Sequence, residues 1–160
     1  MATVAQSVNV ISPLITSPRG LWKQTSYWPL LLFSRYMRGR TVATHVCCGV
    51  YSGETSPKWV QSTCKVPFLD VSASLDGEWM NLAVVNVDEA RSYTTELRGI
   101  QTDEEMQVFV VGGDSNFLSD VNIEGKETVG IRESRWKAGA NADFTFQKHS
   151  FTLLRWKVTP

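Results

Sequence analysis

The chain has 160 residues, 42% of them hydrophobic and 20% charged, which is enough for one sizeable core plus a fragment and far from the composition of a disordered tail. Its 16 basic and 16 acidic residues cancel, yet the first fifty residues hold five cations (Arg19, Lys23, Arg35, Arg38 and Arg40) and no carboxylate, leaving 11 basic against 16 acidic residues beyond them. The leader's cations are dispersed among apolar residues, which argues against a nucleic-acid partner, and the longest apolar stretch, residues 28–33, is far short of the roughly 20 residues that span a bilayer, which argues against a membrane anchor.

In chain order, residues 3–11 (TVAQSVNVI) form a Val-rich apolar run, the pattern of a strand buried on both faces of a parallel sheet. The start has no charged region followed by an apolar core and a small-residue cleavage site, so no signal peptide is read there and localisation stays open. Residues 12–25 read as a loop punctuated by Pro13, Pro18 and Gly20. Residues 26–39 then read as a helix, with Ser26 as cap, Pro29 in the first turn, and Pro29, Leu32, Phe33, Tyr36 and Met37 on one face. Gly39 ends it as a left-handed cap. This is one βα unit, and a lone βα unit cannot bury its faces.

Beyond Gly39 the apolar period changes to two. Expected strands cover residues 41–51, 66–75, 78–87, 91–98, 106–111, 127–133 and 144–158, the last with a break near Lys148, separated by turns such as Asp76-Gly77 and Glu124-Gly125. In residues 79–87 both alternating sets are largely apolar, which suits a central strand of a packed sandwich. The fold class expected is therefore mainly β: an antiparallel, jelly-roll-like β-sandwich over residues 40–160, preceded by one βα unit over residues 1–39.

Cys47, Cys48 and Cys64 are odd in number and lack zinc spacing. They read as small buried hydrophobes, with one disulfide from Cys64 to either neighbour as the alternative. His45 and His149 lie far apart without clustered ligands, so neither a metal nor a cofactor is expected.

Four stretches lie in order along the chain: Ala5-Gln6-Ser7-Val8-Asn9-Val10-Ile11; Gly53-Glu54-Thr55-Ser56-Pro57 followed by Phe68-Leu69-Asp70-Val71-Ser72-Ala73; residues 80–87 (MNLAVVNV); and residues 144–156 (FTFQKHSFTLLRW). Together they resemble the carboxy-terminal portion of the retaining α-L-arabinofuranosidases, which join a (β/α)8 barrel to a β-sandwich. The resemblance implies that residues 1–39 are the last βα unit of the barrel and the remainder the sandwich. It also implies that Gln6, matching the family's AQxVNV motif, contacts the sugar; an amide both donates to and accepts from hydroxyls. The implied partner is an arabinose-containing polysaccharide or oligosaccharide, and family members are secreted or cytoplasmic.

Retaining glycosidases need two carboxyl groups about 5–5.5 Å apart. The family carries both on glutamates of earlier barrel strands, which have no counterpart in this sequence. Glu54, Asp70, Glu104 and Asp114 match no catalytic motif, and Asp103-Glu104-Glu105 reads as a solvated turn. The expected chain is thus inactive alone, with Met1 falling inside a barrel strand as in a truncated product. The alternative is a free-standing carbohydrate-binding sandwich, for which Trp59 and Trp136, near turns, are the candidate platforms, while Trp22, Trp28, Trp79 and Trp156 read as core or interface. The orphan strand and helix are expected to expose apolar surface, so that deleting residues 1–39 would improve solubility. An unpaired sheet edge is expected as well.

Overall fold

The computed structural model describes residues 6–53, 57, 59–60, 62–100, 105–113, 121–139 and 142–158. The chain begins with a hairpin, β1 (Leu14–Ser17) and β2 (Gly20–Lys23), then the helix α1 (Tyr27–Tyr36), and continues with β3 (Arg40–Val42), β4 (Val50–Gly53) and β5 (Thr63–Pro67). The strands β6 (Leu69–Asp76), β7 (Trp79–Asn86), β8 (Tyr93–Glu96) and β9 (Glu105–Gly112) come next. A two-residue hairpin, β10 (Asn122–Ile123) and β11 (Lys126–Glu127), precedes β12 (Ile131–Lys137), β13 (Asp143–Phe146) and β14 (Ser150–Lys157).

Six strands form one antiparallel sheet in the order β12-β9-β14-β7-β6-β3. The centre falls on β14 and β7 because their sequences are apolar on both sides of the pleat. Successive side chains point to opposite faces, so Leu153 and Leu154 enter different cores, and both are 0% exposed. On one face Leu153, Phe151, Phe109, Val111 and Ala83 meet Leu32 of α1, with Trp28, Tyr36 and Met37 packed at the margin. On the other, Leu154, Trp156, Val84, Met106, Val108 and Leu69 meet Phe146, and Tyr93 and Phe144 pack beside them from the β8–β13 ribbon. The sheet is therefore covered twice, by a helix on one side and by paired strands on the other. No described helix is long and apolar enough to cross a membrane.

The mainly β, antiparallel architecture expected from the two-residue period is present, and the break near Lys148 is the turn between β13 and β14, where His149 adopts φ 46°. Several boundaries differ. The strand expected over residues 41–51 is two short ones, β3 and β4, with an irregular stretch between. The strand expected over 66–75 is broken at Phe68, whose N–H donates to the Gly49 carbonyl and whose own carbonyl accepts from Val87 N–H. Its ring packs between Tyr51 and Tyr93, at centroid distances of 5.2 and 5.8 Å. Phe68 is thus a corner at which the chain leaves one layer for another, a device of strands that switch sheets. The strand expected over 127–133 runs four residues later, because Asn122 ties residues 128 and 129 into the β10–β11 hairpin: Thr128 and Val129 N–H donate to its Oδ1, and its Nδ2 donates to the Val129 carbonyl.

The beginning of the chain departs most from its sequence pattern. Of the strand expected over residues 3–11, residues 3–5 lie outside the described residues, and the rest shows only an isolated bridge from Val8 to Leu14. A parallel strand needs neighbours to bond with, and beyond that one parallel bridge the described residues supply none. The loop expected over 12–25 is instead the β1–β2 hairpin, pairing Ile15 with Trp22. α1 forms as expected, though shorter, and Gly39 has φ 76°; a Cβ there would clash with the Leu75 carbonyl oxygen. Ser26 stands at the cap position without a capping hydrogen bond, while Arg38 Nε closes the other end on the Ser34 carbonyl at 2.7 Å. The expected exposure of α1's apolar face is corrected for Leu32, which is buried against the sheet, whereas Phe33, 5.6 Å from the ring of Phe151, is 38% exposed.

Candidate functional site

Gln6 is the first described residue, and its side chain is exposed. It leads into a tight segment held against the hairpin by Asn9. Asn9 N–H donates to the Leu14 carbonyl at 2.7 Å, Asn9 Oδ1 accepts from Thr16 N–H at 2.7 Å, and Asn9 Nδ2 donates to Thr16 Oγ1 at 3.0 Å. Both Asn9 and Val10 have positive φ, 63° and 62°. Asn tolerates that region, but a β-branched residue does not do so without strain. Val10 and Ile11 are also 77% and 78% exposed, so the strain orders a protruding apolar turn instead of filling a core.

The hairpin bearing this turn faces β10 across an open cleft of about 400 Å³, lined by Ile15, Trp22, Gln24, Thr25, Asn122 and Ile123. Arg19 and Glu124 approach to 3.6 Å between the hairpin tips. Among the described residues no titratable side chain lines the cleft. Of its two amide side chains, Gln24 and Asn122, the second is already spent on residues 128 and 129.

Several carboxylates elsewhere are committed to structure. Glu96 pairs with Arg98 at 3.1 Å, Glu105 with Arg135 at 3.3 Å, and Glu78 with Lys157 at 3.9 Å, all partly exposed. Asp88 is the best-bonded: Oδ1 accepts from the N–H groups of Ala90 and Arg91, and Oδ2 accepts from the Tyr93 hydroxyl at 2.7 Å. The Tyr93 hydrogen bond above all, then the Ala90 N–H, hold its pKa below the ordinary 3.8. Burial, followed by the bond to Asp88, pushes the Tyr93 hydroxyl up from 10.0. Asp70 is exposed, whereas Glu54, Asp103, Glu104 and Asp114 lie outside the described residues. Among the described residues no group of three or more His, Cys, Asp and Glu could hold a metal ion.

A family model described as "Alpha-L-arabinofuranosidase C-terminal domain" matches residues 1–150. The chain belongs to this family of α-L-arabinofuranosidase C-terminal domains. A probable α-L-arabinofuranosidase C of Aspergillus terreus is 53% identical over 160 residues, covering 99% of this chain and 30% of that protein. The α-L-arabinofuranosidase C of Emericella nidulans is 48% identical with the same coverage. The domain therefore spans about a third of the length of the curated relatives it matches. Its fold is also that of a thermostable α-L-arabinofuranosidase from Thermotoga petrophila RKU-1, with a TM-score of 0.83 at 24% identity over 96% of this chain and 33% of that one.

In this arabinofuranosidase domain the aromatic residues sort differently from their sequence contexts. Trp156 is buried as expected. Trp136, a candidate platform in the sequence, is half-buried and meets Phe144 in a T-shaped contact at 5.2 Å. Trp59 is 83% exposed. The reading of the cysteines as buried is corrected for two of them: Cys47 and Cys64 are exposed, Cys48 is half-buried beside the ribbon-side core, and all three are free thiols. Cys47 and Cys48 lie in the irregular stretch between β3 and β4, and Cys64 lies on β5. Two features had no counterpart in the sequence reading. One is the knot of Asn86, Asp88 and Tyr93, legible only as an Asx-turn pattern in Asn86-Val87-Asp88. The other is Arg155, whose guanidinium lies 3.6 Å from the ring centroid of Trp79 and 5.1 Å from that of Tyr36.

Proposed function

We propose that this domain works as the carboxy-terminal part of a retaining α-L-arabinofuranosidase that removes terminal non-reducing α-L-arabinofuranosyl groups from arabinose-containing polysaccharides or oligosaccharides. The observation that carries the reading is the family match over residues 1–150, set beside full relatives that are about three times as long. In this reading residues 1–39 are the end of the catalytic barrel, residues 40–160 are its sandwich, and Gln6 supplies an amide to the sugar. The solvent-facing position of Gln6 and the strained, ordered turn behind it support that role. The two carboxyl groups that the chemistry requires are then contributed by parts of the enzyme outside this sequence, and the 160-residue chain by itself is inactive.

Incubating the purified chain with a nitrophenyl α-L-arabinofuranoside tests this reading, and no release above the uncatalysed rate is expected. Turnover by the isolated chain would overturn it. Replacing the glutamine that aligns with Gln6 in the Aspergillus terreus relative by Ala should raise KM and lower kcat/KM on the same substrate, if that protein has the activity its name states.

A second reading, a non-catalytic carbohydrate-binding sandwich, is favoured by one observation, the exposed indole of Trp59. Retention on insoluble arabinoxylan that disappears in Trp59→Ala would establish it.

A further inference from the structure

Four polar side chains cross the α1 face of the sheet in a single row. The registers pair Ser74 with Asn81, Asn81 with Arg155, and Arg155 with Gln107, and directly opposed residues of antiparallel strands share a face. The ends of the row are bonded. Arg155 Nη1 donates to Gln107 Oε1 at 3.2 Å, Asn81 Nδ2 donates to Ser74 Oγ at 3.5 Å and to the Trp79 carbonyl at 3.4 Å, and Ser74 Oγ donates to Met37 Sδ at 3.8 Å. The middle is not. Arg155 Nε and Asn81 Oδ1 are both shielded from solvent and have no protein partner, and Asn81 as a whole is 1% exposed.

These two atoms are complementary, since Nε only donates and an amide oxygen only accepts. Each left alone would cost about 1–3 kcal/mol, and more for the charged donor. Asn81 turns its amide nitrogen toward Ser74 on β6, and Arg155 stands directly opposite Asn81 on β14. One water bonded at roughly 2.8 Å to each atom can join an Nε and an Oδ1 that do not bond each other directly.

We propose that one ordered water molecule binds between Arg155 and Asn81, accepting from Nε and donating to Oδ1. It completes a hydrogen-bonded row from Gln107 to Met37. The row fastens the last turn of α1 to the sheet at two points, Tyr36 stacked over the Arg155 guanidinium and Met37 bonded to Ser74.

A crystal structure of the unmutated 160-residue chain, at a resolution that shows solvent, should reveal a single water peak within about 3.2 Å of both atoms. Empty density there, a rotamer joining the two side chains directly, or a carboxylate in that position overturns the proposal. In solution, Asn81→Leu and Arg155→Met should each lower Tm. The double variant should lie about 2–4 °C above the value expected from adding the two losses, because it removes both orphans together. Strict additivity would also overturn it.

Discussion

Asn81 and Asn86 sit five residues apart on β7, point to opposite faces of the sheet, and are both almost wholly buried. Their surroundings treat them differently. Asn86 faces the paired strands and turns, and its Nδ2 donates to the carbonyls of Arg91, Phe146 and Gln147 while its Oδ1 accepts from Asp88 N–H. Asn81 lies under α1 with two long hydrogen bonds and an unpartnered oxygen. The reason is the covering layer. Irregular turns leave backbone carbonyls free to accept, whereas a helix spends its own internally and presents mainly side chains. A sheet covered by turns can satisfy a buried amide with backbone; one covered by a helix must recruit side chains or solvent.

The largest test of this two-sided picture is removal of one side. Deleting residues 1–39 strips α1 from Leu153, Phe151 and Phe109. The shortened chain should be less soluble and should lose cooperative thermal unfolding, as read by the soluble fraction and by circular dichroism. Improved solubility would mean that α1 contributes little to the core. Next come the paired leucines. Leu153→Ala opens the helix side and Leu154→Ala the ribbon side, and each should cost about 2–5 kcal/mol in urea denaturation. A markedly smaller loss on one face would identify that face as the looser layer.

Smaller effects separate the two asparagines. Asn86→Ala strands several buried backbone groups and should cost about 1–3 kcal/mol, more than Asn81→Ala, and amide exchange at Asp88 should accelerate only in the former. The mildest effect is on pH dependence. The Asp88 carboxyl is depressed below 3.8 in the folded chain, so its contribution to stability is complete above that value and is lost as pH falls through the lower folded pKa. Tyr93 has the opposite sign: its raised pKa gives a contribution complete below 10.0 and lost as pH climbs above it. Asp88→Asn should therefore flatten the acid limb of the Tm profile relative to the unmutated chain; an unchanged limb would relieve Asp88 of that role.

Much of the sheet was legible in the order of apolar residues. The alternation in β7, the apolar character of both its faces, and the break between β13 and β14 follow from residues 79–86 and 143–157 alone. The β1–β2 hairpin was not, because Pro18-Arg19 lacks the Asn-Gly or Asp-Gly pattern of a two-residue turn. Nor was the corner at Phe68, since a chain that changes layers keeps its apolar composition while changing its partners. Of the candidate site, Gln6 came from motif resemblance, and the cleft beside the hairpin came only with the fold, since its two walls lie about a hundred residues apart in the chain.

By itself the sequence determined the class of the fold and the family, since periodicity and motif order are local properties of the chain. Only the tertiary structure decided that α1 covers the sheet instead of standing free, and that Arg155 lies between Trp79 and Tyr36. It also decided which of two similar asparagines is satisfied. Burial and hydrogen-bond partners are set by what packs opposite a residue, and those partners come from strands and turns remote in sequence.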